Sequence, residues 1–174
     1  MMPTIQKFEN GILTILSAAV EQTDALGRLL SDYLLPADVV SLDGDLGAGK
    51  TALTRGLAAG LGCRGPVSSP TFTLLIEHPG YAGGLALYHF DAYRLSGSDE
   101  FCEIGLDEYF DQSGVSVVEW GSIIAGVLPA RTLQIRLIQS GPDHPDWRLI
   151  EMIWPGSPER LAKLISRMKE LAPC

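Results

Sequence analysis

The segment Gly44-Asp-Leu-Gly-Ala-Gly-Lys-Thr51 fits the pattern G-x-x-x-x-G-K-[ST], and it constrains the chain more than any other feature. The pattern has a physical basis. Glycines let the loop bend until successive backbone N–H groups point inward at a phosphate. A lysine then adds a point charge to the β- and γ-phosphates, and the final hydroxyl offers a ligand to Mg²⁺. A helix starting at Gly49 aims the positive end of its dipole at the same anion. The flanking sequence agrees: Val39–Asp43 reads as a buried strand, and Thr51–Leu61 as a helix stopped by Gly62. The motif implies an α/β chain that binds a nucleoside triphosphate.

The rest of the chain follows the same α/β order. Ile12–Leu16 reads as an opening strand, and Glu21–Leu35 as a helix with Leu26, Leu29, Leu30 and Tyr33 on one face, ended by Pro36. Cys63–Thr71 is a loop holding Gly65-Pro66 and Ser69-Pro70. Phe72–Glu77 and Leu85–Phe90 read as two strands joined by a long hairpin connection. Asp99–Phe110 is expected to be helical with a break near Gly105, and Gly114–Glu119 a short apolar strand. Leu133–Ile138 and Leu149–Trp154 form a late strand pair. Ser157-Pro158 opens a last helix carrying Leu161, Leu164, Ile165 and Met168 on one side. A length of 174 residues without repeats or a linker suits one domain, 1–174.

Composition narrows the partners. A formal net charge of −8 with scattered basic residues argues against direct, charge-driven nucleic-acid binding, so any RNA is expected to be held by another protein. No window approaches a membrane span, and Lys7 alone does not make a signal peptide. Cys63, Cys102 and Cys174 stand at wide, irregular spacing, which fits free thiols in a reducing cytoplasm rather than a disulfide framework or zinc site.

A nucleotide-bound Mg²⁺ is usually also positioned by an acid at the end of a buried strand. Val115-Ser-Val-Val-Glu119 supplies one, immediately before Trp120. In Leu87-Tyr-His-Phe-Asp-Ala-Tyr-Arg94, strand periodicity puts His89, Asp91 and Tyr93 on one face. Asp91 could orient an attacking water or stand behind the metal; equally, it could pair with Arg94 to finish the strand. His89 has no second ligand at metal spacing and reads as a packed, hydrogen-bonded histidine. Ser68-Ser-Pro-Thr-Phe72 lies where many P-loop proteins place a segment that senses the γ-phosphate, with Thr71 supplying the hydroxyl; a rigid turn is the alternative.

Five blocks in this order resemble the TsaE (YjeE) family: the P-loop itself, Ser69-Pro-Thr-Phe-Thr-Leu74, His89-Phe-Asp-Ala-Tyr-Arg-Leu95, Glu103-Ile-Gly-Leu-Asp-Glu-Tyr-Phe110 and Val117-Val-Glu-Trp120. The likeness runs from about Glu21 to Trp120 and fades beyond Pro129. It implies a P-loop NTPase-like three-layer fold with a central mixed β-sheet flanked by helices. It further implies a cytoplasmic ATPase, weak alone, that takes ATP and Mg²⁺ and serves threonylcarbamoyladenosine formation in tRNA. Its partners would be TsaB and TsaD, with tRNA met only through them and hydrolysis resetting the complex between turnovers. By the same likeness, Asp45, Leu46, Gly47, Ala48, Gly49, Lys50 and Thr51 cradle ATP. Thr51 and Glu119 hold the metal, Asp91 positions water, Thr71 lies in a switch-like loop and Trp120 beside the site. Thr23 and, less firmly, Arg148 match positions near the nucleotide. Ala92 and Cys102 depart from the family pattern without removing a functional group.

Rival classes lack their own marks. A GTPase needs an Asn-Lys-x-Asp guanine reader, and the sole asparagine is Asn10. A small-molecule kinase usually carries arginines on a closing lid, and no compact Arg-rich segment is present. A nucleotide-sensing module that does not hydrolyse would use the same binding residues; Asp91 and Glu119 favour hydrolysis over it.

Overall fold

The computed structural model describes residues 1–172; Cys174, read above as a free thiol, lies outside the described residues. Eight strands form a single sheet in the order β1-β2-β8-β7-β3-β6-β5-β4. They are β1 (Thr4–Glu9), β2 (Ile12–Ser17), β3 (Val39–Asp43), β4 (Leu75–His78), β5 (Leu87–Asp91), β6 (Val115–Glu119), β7 (Leu133–Gln139) and β8 (Arg148–Ile153). The helices are α1 (Val20–Ser31), α2 (Lys50–Gly60), α3 (Ser98–Glu103) and α4 (Pro158–Leu171). Strands β5, β6, β3 and β7 run parallel, and the remaining pairs are antiparallel, so the sheet is mixed.

Burial explains the arrangement. Val39-Val-Ser-Leu42 and Val115-Ser-Val-Val118 are buried on both faces, as central parallel strands must be. Val40 and Val117 face one core with α1, α2 and α4, whereas Val39 and Val118 face a second core with α3 and Phe110. Along β7, buried Leu133, Ile135 and Leu137 alternate with exposed Gln134 and Arg136, so this antiparallel flange shows one face to water. α4 buries Leu161, Leu164, Ile165 and Met168, the four residues its periodicity selects.

Some expectations shift. α1 stops at Ser31 rather than Leu35, since Leu34 N–H already closes a turn onto Ser31 O. β4 starts at Leu75, not Phe72: Thr73 and Leu74 both turn back onto Pro70 O, and Leu74 takes a φ of 64°. Gly105, at φ 76°, splits the expected helix into α3 and a 3₁₀ turn over Leu106–Asp111. Ser157 holds the N-cap position, yet its hydroxyl accepts from Arg160 Nη2 (2.6 Å) rather than from the helix amides. β1 was not expected; it is mostly exposed and lacks a clean alternation.

The P-loop helix is seated by close backbone contact. A Cβ built on Gly56 of α2 would lie 2.1 Å from Asp24 O of α1. Gly56→Ala is therefore expected to destabilise the fold by about 1–3 kcal/mol, the usual cost of overpacking, read as a lower urea midpoint at unchanged slope.

Candidate functional site

The carboxyl ends of parallel strands converge on one point, the usual ligand position in open α/β sheets. From β3 the chain enters the P-loop, while Asp91 and Glu119 end β5 and β6 as direct register partners. The loop reaches α2 through Gly49, whose φ of 105° suits glycine far better than any residue with a Cβ. Among the described residues, the N–H groups of Gly47, Gly49, Lys50 and Thr51 find no acceptor in the protein. The opposite edges of these peptides are held: Arg148 Nε donates to Ala48 O (3.0 Å) and Nη2 to Gly47 O (3.1 Å). In a trans peptide the carbonyl and the next N–H point oppositely. Arg148 thus anchors the loop from behind while the free amides face the cleft.

Lys50 Nζ donates to Gly44 O (2.6 Å) and Asp45 O (3.0 Å) and lies 4.0 Å from the centroid of the Trp120 ring. Burial lowers its pKa below the ordinary lysine value, against the opposing pull of Glu119, Asp91, Asp43 and Asp45. Trp120 itself sits at a φ of 60°, which turns its ring under the lysine, and Tyr93 packs on it at 5.1 Å.

Thr51 Oγ1 donates to Glu119 Oε1 (2.9 Å), and His89 Nε2 lies 2.9 Å from the same oxygen. An ionised carboxylate only accepts, so the His89 proton is on Nε2. Burial pushes neighbouring His78 below the usual imidazole range, with His89 adding to the shift. Asp91 Oδ2 accepts from Ser69 Oγ (2.8 Å) and Thr71 Oγ1 (2.9 Å), and Oδ1 accepts from Tyr93 N–H (3.0 Å). The alternative Asp91–Arg94 pair is not formed; the Arg94 guanidinium lies over Phe72 at 4.4 Å.

A cleft of ≈ 390 Å³ is lined by the P-loop together with Thr71, Asp91, Glu119 and Trp120. A neighbouring pocket of ≈ 350 Å³ is walled by Ala18, Thr23, Gly49, Asp146 and Arg148. Thr23 is buried there, with its hydroxyl bonded to Ser17 Oγ (2.8 Å) and its methyl group turned toward Gly49. The structure thus brings together every residue singled out in sequence: Leu46 stands exposed at the rim, Asp45 behind the loop, and Thr23 and Arg148 on the far side of it. Ser69 was not singled out; a hydroxyl two residues before Thr71 and next to Pro70 was its only signal.

The donor set fits a phosphate-bound hard cation. Free amides and Lys50 face the place an anion would take, and the hydroxyl and carboxylate oxygens of Thr51 and Glu119 suit Mg²⁺. Among the described residues, no group of three or more His, Cys, Asp or Glu could hold a metal alone, so a cation here needs phosphate oxygens as further ligands.

The sequence model described as "Threonylcarbamoyl adenosine biosynthesis protein TsaE" matches residues 17–146. The chain belongs to the TsaE family. Its similarity to the TsaE protein of Bacillus subtilis is 47% identity over 124 residues, 71% of this chain and 76% of that one. For Streptomyces coelicolor TsaE the identity is 48% over 122 residues, covering 70% and 82%. Mycobacterium leprae TsaE aligns further, 38% identical over 152 residues, 84% of this chain and 93% of that one. The crystal structure of Bacillus subtilis YdiB superposes with a TM-score of 0.72 at 36% identity, covering 94% of this chain and 98% of that one. The likeness in structure to this TsaE-family chain therefore extends through β8 and α4, where the motif blocks fade. Among the described residues, no helix is long and apolar enough to cross a membrane.

Proposed function

We propose that this TsaE-family protein binds ATP·Mg²⁺ and hydrolyses it slowly by itself, as the partner-gated ATPase of tRNA threonylcarbamoyladenosine formation. The observation that carries the reading is the meeting of Thr51, Glu119 and Asp91 opposite the free P-loop amides. Lys50 and the amides hold the β- and γ-phosphates. Thr51 passes its proton to Glu119 and so keeps lone pairs for the metal, while Glu119 holds the metal's remaining shell. The bound Mg²⁺ supplies charge neutralisation on the phosphoryl oxygens. Asp91 orients the attacking water and accepts its proton, and Ser69 and Thr71 tie the switch-like segment to that carboxylate. The pocket behind the loop, between Thr23 and Arg148, takes the adenine.

Slow turnover follows from the charges. Lys50 is the cleft's one lining cation among the described residues, against Asp91 and Glu119. Arg94 is committed to Phe72 and Arg148 to the P-loop carbonyls. Phosphoryl transfer depends on such positive charge, and a partner that supplies it adds large factors. We assign that part to the TsaB–TsaD pair, which also meets the tRNA that a chain of net charge −8 would repel.

The test is steady-state ATP hydrolysis with and without the TsaB–TsaD pair of the same organism. Stimulation of roughly 10³-fold, the low end for a cation supplied in trans, is the expected result. No stimulation despite normal ATP binding and an active pair would turn the reading toward a nucleotide sensor or a kinase. A salt-sensitive tRNA complex of this chain alone would contradict the indirect contact.

A further inference from the structure

His89 is fully buried on β5, and its ring makes one hydrogen bond, to Glu119 Oε1 at 2.9 Å. Nδ1 on the other side has no partner, and neither has Nε2 of His78, whose ring lies 6.2 Å away. A ring that serves only as packing is a poor use of an imidazole here. An apolar ring of similar size would fill the space without burying an unpaired nitrogen. The one polar commitment of His89 is to the carboxylate.

That carboxylate has a geometric problem. Glu119 is a glutamate at a strand end, and three side-chain torsions must be fixed before its oxygens face a defined point. Thr51 fixes Oε1 from one direction and His89 from another. With both donors on Oε1, Oε2 is left to face the cleft. We infer that His89 is a positioning residue for the metal: its Nε2–H locks the Glu119 carboxylate so that one oxygen holds Thr51 and the other meets the cation shell. The imidazole touches neither nucleotide nor metal and acts through Glu119 alone. This inference rests on the ATP·Mg²⁺ reading above, and it adds a residue that the P-loop pattern does not contain.

The test measures metal uptake directly, with Mn²⁺ in place of Mg²⁺. Free Mn²⁺ is followed by electron paramagnetic resonance in the presence of a non-hydrolysable ATP analogue, for the wild type, His89→Phe and His89→Gln. His89→Phe is expected to weaken Mn²⁺ by about 10–100-fold, the usual effect of losing a group that orients a ligand. His89→Gln, which returns an N–H at a similar reach, should recover most of that loss. Fluorescent ADP binding in EDTA should be the same in all three proteins. His89→Met, a flexible apolar filler, replaces phenylalanine if that variant does not fold. Unchanged Mn²⁺ affinity in the apolar variant overturns the inference. So does a parallel loss of metal-free ADP binding, which would mark a general packing role. A wild type that takes up no Mn²⁺ with nucleotide overturns both the inference and the ATP·Mg²⁺ reading beneath it.

Discussion

Lys50→Ala is expected to raise the dissociation constant for ATP roughly 10- to 150-fold, the worth of a charge-assisted hydrogen bond at 1.5–3 kcal/mol. Turnover falls further, because the same ammonium faces charge that grows in the transition state, and removing one such donor costs about 10²–10³ in rate. The structure gives the loss no internal remedy. Among the described residues, the other lining charges of the cleft are the carboxylates of Asp91 and Glu119, and Arg148 already spans two loop carbonyls. Titration calorimetry with ATP·Mg²⁺ reads the binding part, and an unchanged isotherm would overturn the assignment of Lys50. Hydrolysis in the presence of the partner pair should reach the blank.

Asp91→Asn should separate binding from chemistry. The amide keeps the size of the side chain, and the Ser69 and Thr71 hydroxyls can rotate from donating to accepting, so the loop contacts at 2.8 and 2.9 Å have a neutral substitute. What is lost is the negative charge that takes a proton from water. ATP affinity is expected to stay within a few-fold, about 1 kcal/mol or less. Stimulated turnover should fall by about 10²–10⁴, the range for a general base. Full turnover in Asp91→Asn or Asp91→Ala would remove Asp91 from the water-positioning role. A collapse of ATP affinity would instead make it a support for the switch-like segment.

The elements around the site were legible because each is locally redundant. Val39–Asp43 is apolar, strand-forming and followed at once by glycines, and the structure gives that strand the same bounds. The cleft end of β6 was readable for the same reason, as four strand formers and an acid. The misses have the opposite character. β1 presents Thr4-Ile-Gln-Lys-Phe-Glu9 without regular alternation, since both its faces are largely wet. Its one local signal was Asn10-Gly11, at φ values of 51° and 78°, the pair that favours a tight hairpin turn. Phe72 carries strand propensity but stands 84% exposed in a turn, where Pro70 and the hydroxyls on Asp91 decide the backbone. Tertiary contacts such as Arg148 to Ala48, 100 residues apart, leave no trace in spacing. Likewise, the choice between an Asp91–Arg94 pair and a functional Asp91 could not be made from a one-dimensional pattern. It took the position of Phe72 to show where the guanidinium goes.

The strand order also sets a timetable for synthesis. The P-loop follows β3 early in the chain, yet β3 is flanked by β6, through Val39 and Ser116, and by β7, through Val40 and Leu133. Neither neighbour exists while a ribosome is still translating the switch-like segment. A nascent chain released from the exit tunnel up to Pro129 would carry the complete phosphate-binding motif on a strand open along one edge, without the arginine that braces the loop from behind. Such long-range closure is slow and leaves edges exposed during folding. Nucleotide capture by this protein is therefore an event of late translation, tied to the emergence of the Leu133–Ile153 hairpin rather than of the motif itself.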